Sequence, residues 1–105
     1  MVHHVALYKL QPDVTEDTLD EMVRRKRSLL LKIPEVLAVR SGKRIDPGCE
    51  WPFFVGLDFD SRAKQAMFLD DPVYLKFLVE VIEPYTAESM FLEYEMDPGK
   101  NVKYS

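Results

Sequence analysis

The 105-residue sequence predicts an α+β fold with elements in the order strand, helix, strand, strand, helix, strand. That is the split pattern of a ferredoxin-like sandwich, a four-stranded antiparallel sheet with its helices on one face. Three observations predict it. Alternating or doubly apolar runs at 2–10, 36–43, 51–59 and 89–96 read as strands. Two intervening stretches have helical apolar spacing with recognisable caps and proline stops. No linker, low-complexity segment or repeat interrupts the order, so residues 1–96 form one domain, followed by a polar tail at 97–105.

The first strand carries both histidines of the protein. Side chains alternate along a strand, so His4 shares a face with Val2, Ala6, Tyr8 and Leu10, while His3 projects with Val5, Leu7 and Lys9. Both faces are mostly apolar and require cover. Thr15 then caps a helix running to about Ile33, with Glu16 and Asp17 in its first turn and Pro34 as its stop. Leu19, Met22, Val23, Leu29, Leu30 and Ile33 make its apolar stripe, and Lys26 falls in the middle of that stripe. Arg24, Arg25 and Arg27 fall off it, where acids such as Asp20 and Glu21 pair with them.

The second strand is expected from Val36 to about Lys43, with Gly42 permitting a bulge or bend, and Asp46-Pro47-Gly48 marks a turn. The third, from Trp51 to Phe59, alternates Trp51, Phe53, Val55, Leu57 and Phe59 with Pro52, Phe54, Gly56 and Asp58. Ser61 caps a short helix to Leu69, and Asp71-Pro72 opens another to Glu83, halted by Pro84. The apolar arc of that second piece covers well over half its circumference and includes Tyr74. Aliphatic and aromatic residues on both strand faces imply that two sheets pack together in a symmetric homodimer.

The formal net charge of -4 argues against a nucleic-acid partner. A single cysteine, Cys49, excludes an intrachain disulfide and a thiolate metal cluster. No signal peptide or apolar run of the roughly 20 residues a membrane span needs is visible, so no membrane association and a cytoplasmic location are expected.

The segments 2–10, Thr15-Glu16, 32–36, Gly42-Lys43, Phe59-Asp60-Ser61 and 71–77, in this order and spacing, resemble the stress-responsive dimeric α/β-barrel domain across residues 2–96. The resemblance implies a homodimer whose two sheets form a barrel-like core, with a pocket between sheet and helices in each subunit. The family includes a plant polyketide cyclase that performs an aldol closure without a cofactor. A strand histidine of its pocket matches His4. The positions of its acid/base histidine, its catalytic tyrosine and a further pocket histidine hold Tyr74, Phe68 and Phe53.

On that basis His4 is the candidate for moving a proton, against the alternative of a satisfied structural group. Tyr74 is the candidate for holding a developing oxyanion, against a core residue with its hydroxyl at the rim. Lys26 either snorkels to the rim or offers a cation to an acidic substituent. Ala6, Tyr8, Met22, Phe53, Val55, Phe68 and Phe77 are expected to line the substrate pocket, with Trp51 as a further wall. His3 is expected on the dimer side. The two histidines face opposite ways and make a poor metal site, and no metal or cofactor is expected. Asp70 is a weak candidate near the pocket, Asp71 a helix cap and Cys49 an incidental loop thiol.

The expected function is a cofactor-independent enzyme acting on a hydrophobic, enolisable, polyketide-like or aromatic molecule as a cyclase, lyase, decarboxylase or isomerase. The alternative is a non-catalytic stress-associated module that binds a small ligand or serves as a dimeric interaction domain. A cofactor-free monooxygenase rests on fold analogy alone.

Overall fold

A computed structural model describes residues 1–96, and the expected tail at 97–105 lies outside the described residues. The strands are β1 (Val2–Leu10), β2 (Ala38–Lys43), β3 (Phe53–Phe59) and β4 (Thr86–Glu95). They form one antiparallel sheet in the order β2-β3-β1-β4. The helices are α1 (Glu16–Leu30), α2 (Arg62–Leu69) and α3 (Pro72–Phe77). This is the ferredoxin-like α+β fold, with the histidine-bearing strand in the interior of the sheet.

The alternation in the sequence sets the two faces. Val2, His4, Ala6 and Tyr8 of β1 are buried beneath the helices, as are Phe53, Val55, Leu57 and Phe59 of β3. Leu19, Met22, Leu30, Phe68, Phe77 and Val81 close on them from above. The opposite face presents Val5, Leu7, Phe54, Met90 and Leu92, with Met90 41% exposed. One sheet face is therefore core, and the other is apolar without a helix over it.

Three helix starts are capped as expected. Thr15 Oγ1 accepts from Thr18 N at 3.2 Å, Ser61 Oγ from Lys64 N at 3.2 Å, and Asp71 Oδ1 from Val73 N at 2.8 Å. The ends differ more. α1 stops at Leu30 rather than Ile33, because the residue before Pro34 is pushed out of helical geometry and the chain tightens into three-residue turns at Lys32 and Ile33. Ile33 stays in the core all the same, at 1% exposure.

β2 begins at Ala38 instead of Val36, after a turn in which Val36 N donates to Ile33 O. β3 begins at Phe53 instead of Trp51, since Pro52 has no N–H for the ladder. The helix expected from Pro72 to Glu83 is α only to Phe77; a π-helical turn follows at Leu78–Ile82 and a 3-10 turn at Glu83–Tyr85. Both Val81 and Ile82 are buried by that wider turn. β4 starts at Thr86, three residues before the expected Ser89, because it pairs along the whole of β1 as far as Leu10.

Gly42 belongs to a close approach. A Cβ there would lie 2.7 Å from Cε1 of Phe54, its cross-strand neighbour.

Candidate active site at the β1–β4 edge

His4 faces the helices from the middle of the sheet and is 3% exposed. Its cross-strand neighbours are Leu57 on β3 and Glu93 on β4. The helices do not reach over β4, so Phe91, on the same face, remains 50% exposed and lies 5.8 Å from the His4 ring. His4 is thus a buried imidazole one strand away from an open edge.

Two side chains compete for the same nitrogen. His4 Nδ1 lies 3.3 Å from Oε1 of Glu93 and 3.3 Å from Nε2 of Gln65 on α2. Both of these contacts among the described residues are made at Nδ1 rather than Nε2. Burial lowers the His4 pKa from its ordinary value of 6.5; Glu93 opposes that shift without overcoming it, and His3 adds a smaller repulsion. Burial therefore favours the neutral imidazole, the form that can act as a base. Beside it, a cleft of about 150 Å³ is bordered by Val2, Arg62, Gln65, Glu93, Tyr94 and Glu95.

Tyr74 belongs to the same neighbourhood. Its ring lies 4.1 Å from that of Phe68, which in turn lies 5.0 Å from Phe59. Gln65 and Phe68 are one turn apart on the buried face of α2, so this aromatic stack adjoins the His4–Gln65 contact. Burial raises the Tyr74 phenol, and burial plus the Tyr74 phenol raises Tyr8 above the ordinary phenol range. Both remain proton donors at neutral pH.

Lys26 is placed elsewhere. It is 3% exposed, and its Nζ donates to Oγ of Ser41 at 2.6 Å. Ser41 is on β2, two strands from His4, which is roughly 10 Å across the sheet. Burial, with Arg27 nearby, lowers the Lys26 pKa. It does not snorkel to the rim, nor does it join His4.

The expected lining residues Ala6, Tyr8, Met22, Phe53, Val55, Phe68 and Phe77 are all 3% exposed or less. Tyr8 packs on Phe53 at 5.9 Å and edge-on to Phe91 at 6.4 Å. They form the wall and floor behind the site rather than an open chamber.

On the other sheet face, His3 Nδ1 pairs with Oδ1 of the buried Asp58 at 2.6 Å, and Arg40 reaches Oδ2 at 3.2 Å. His3 is held apart from His4. Cys49 is exposed, Asp71 is the cap already described, and Arg24 and Arg25 pair with Glu21 and Glu80. Among the described residues no group of three metal-ligating side chains occurs, and no helix is long and apolar enough to cross a membrane.

A larger cleft, of about 470 Å³, lies at the far end of β1. Its cations are already engaged: Lys43 with Glu16 and Asp20, Lys9 with Glu88, and Arg44 with the carbonyl of Cys49. Volume alone therefore does not make it the reactive site. Gln65 and Glu93 are the two residues that the sequence reading missed. The pairing of β1 with the last strand, which the fold class implies, would have pointed to Glu93 from the Phe91-Glu93-Glu95 alternation. Gln65 carried no comparable signal.

Several solved structures share this architecture. A dimeric ferredoxin-like protein of unknown function from Thermobifida fusca is 23% identical, with a TM-score of 0.81 and 90% of each chain covered. A Dabb family protein from Mesorhizobium loti is 16% identical, with a TM-score of 0.80, covering 90% of this chain and 95% of that one. The hydroxynitrile lyase of Passiflora edulis is 19% identical, with a TM-score of 0.80, covering 92% and 94%. At these identities the likeness shows the fold alone. No curated protein sequence matches the chain. Residues 2–96 match the stress responsive A/B barrel domain, and the chain belongs to that family.

Proposed function

We propose that this protein is a cofactor-independent acid/base catalyst acting on a small, hydrophobic molecule with an acidic C–H or O–H, in a lyase, cyclase, decarboxylase or isomerase step. The observation that carries this reading is the His4 imidazole itself. It is buried, burial favours its neutral form, and its hydrogen-bonding neighbours among the described residues, Glu93 and Gln65, both approach Nδ1 rather than Nε2. A general base needs a lone pair near neutral pH, a fixed orientation and a charge that steadies its protonated form. His4 has all three.

In this reading His4 takes the proton, Tyr74 donates to the developing oxyanion, and the cleft bordered by Val2, Gln65, Glu93 and Tyr94 receives the carbon skeleton, with the apolar wall from Tyr8 to Phe77 behind it. Lys26 attracts an acidic substituent only if the substrate extends the roughly 10 Å across the sheet from His4 to β2. A hydroxynitrile lyase with the same fold is consistent with small-molecule proton chemistry on this scaffold. The test is deuterium uptake at carbon from D₂O by a panel of β-diketones, polyketide-like aromatics and α-hydroxy nitriles. Uptake above the buffer rate supports the reading. Binding of panel members without uptake supports the second reading, a ligand-binding module.

The open sheet face is proposed to pack against that of a second copy. Val5, Leu7, Phe54 and Leu92 supply its apolar centre, and the Thermobifida fusca neighbour is described as dimeric. Leu7→Arg places a charge in that centre. It is expected to shift the sedimenting species from dimer to monomer, and a wild-type protein that already sediments as a monomer contradicts the pairing.

A further inference from the structure

We propose that Gln65 and Glu93 are positioning residues that select between the two tautomers of His4, and that Glu93 returns the His4 proton to water. The inference rests on His4 as the proton-moving group. It follows from a geometry in which one nitrogen has two neighbours that ask opposite things of it. Gln65 Nε2 is a donor and requires Nδ1 to be bare, which puts the neutral ring's proton on Nε2. The Glu93 carboxylate is an acceptor and requires Nδ1 to carry the proton, which leaves Nε2 with its lone pair. A neutral imidazole satisfies one of them at a time.

The two neighbours also differ in their access to solvent. Gln65 is 6% exposed, whereas the Glu93 side chain is 49% exposed and borders the 150 Å³ cleft. The His4 side chain is 4% exposed, so Glu93 is its path to water. In the base form Nδ1–H donates to Glu93 and Nε2 takes the substrate proton. The C–H bond breaks and its electron pair passes to the enolate oxygen. The imidazolium then gives its Nδ1 proton to the Glu93 carboxylate, which passes it to water, and Gln65 closes on the bared Nδ1. The ring is left as the neutral Nε2–H tautomer. Nδ1 then regains a proton from water through Glu93, and the imidazolium so formed gives its Nε2 proton to the product carbon or leaving group, which restores the neutral Nδ1–H base form.

The experiment is ¹⁵N NMR of the imidazoles, read at pH 7.5 in wild type, Glu93→Ala, Gln65→Leu and the more nearly isosteric Gln65→Met. The chain has two histidines, and His3, tied to Asp58, serves as an internal reference for folding. Glu93→Ala is expected to move His4 to the Nε2–H form and the Gln65 variants to the Nδ1–H form. A His4 tautomer identical in all four proteins, with the His3 signals unmoved, overturns the proposal. Added formate is expected to restore turnover in Glu93→Ala and to leave wild type unchanged; absence of rescue overturns the proton-return step. His4→Ala with undiminished turnover would instead overturn the base assignment and leave the tautomer selection standing.

Discussion

Replacing His4 with alanine is expected to lower turnover at least about tenfold, and by up to the roughly 10²–10⁴-fold that a positioned acid/base group contributes. The substitution removes the one buried imidazole on the helix-facing side of the sheet. The space it leaves adjoins the cleft at the β4 edge, where water can enter and satisfy Gln65. The sheet ladder on either side is backbone hydrogen bonding with Glu93 and Leu57 and survives the change. Catalysis should therefore fall while the fold holds. Initial-rate measurements on a substrate found by deuterium uptake, with circular dichroism of the same samples, check both halves of the expectation.

The second large effect concerns stability. Phe68→Ala is expected to destabilise the protein by about 3–5 kcal/mol, the range for truncating a buried aromatic ring. Phe68 is 0% exposed and bridges two layers of the core, with Phe59 of β3 on one side and Tyr74 of α3 on the other. Its removal opens a cavity that these two rings cannot both fill without leaving their present positions. Urea unfolding measures the loss as a lowered midpoint at unchanged slope. A shift corresponding to less than about 1 kcal/mol would mean that the space collapses freely.

Much of this architecture was legible because the signals were local. Thr15, Ser61 and Asp71 cap the helices the sequence assigned to them. The alternation of β1 alone separates His4 from His3, and the two lie on opposite sheet faces. Element ends were less legible. Pro34 marks a stop in the sequence, but its effect begins at the preceding residues and ends α1 at Leu30.

Lys26 shows a different limit. The helical stripe correctly placed it inward, at 3% exposure, but spacing along one helix says nothing about which strand lies beneath. That strand is β2, where Ser41 receives the ammonium group. Glu93 and Gln65 lie 89 and 61 residues from His4 and meet it only through strand pairing and helix docking. Contacts of that kind are set by tertiary structure and leave no period in the sequence.

The central claim is that a neutral, buried His4 moves the proton, and the pH dependence of kcat/KM tests it most directly. A base must be unprotonated, and burial holds the His4 pKa below 6.5 in the free protein. As pH falls through that lowered pKa, the imidazole fills with a proton and the rate must fall with it. kcat/KM is expected to be level in the alkaline range and to fall toward acid with a midpoint below 6.5, and that fall is expected to be lost in His4→Ala. A profile that rises toward acid, or one whose midpoint lies above 6.5, would contradict it.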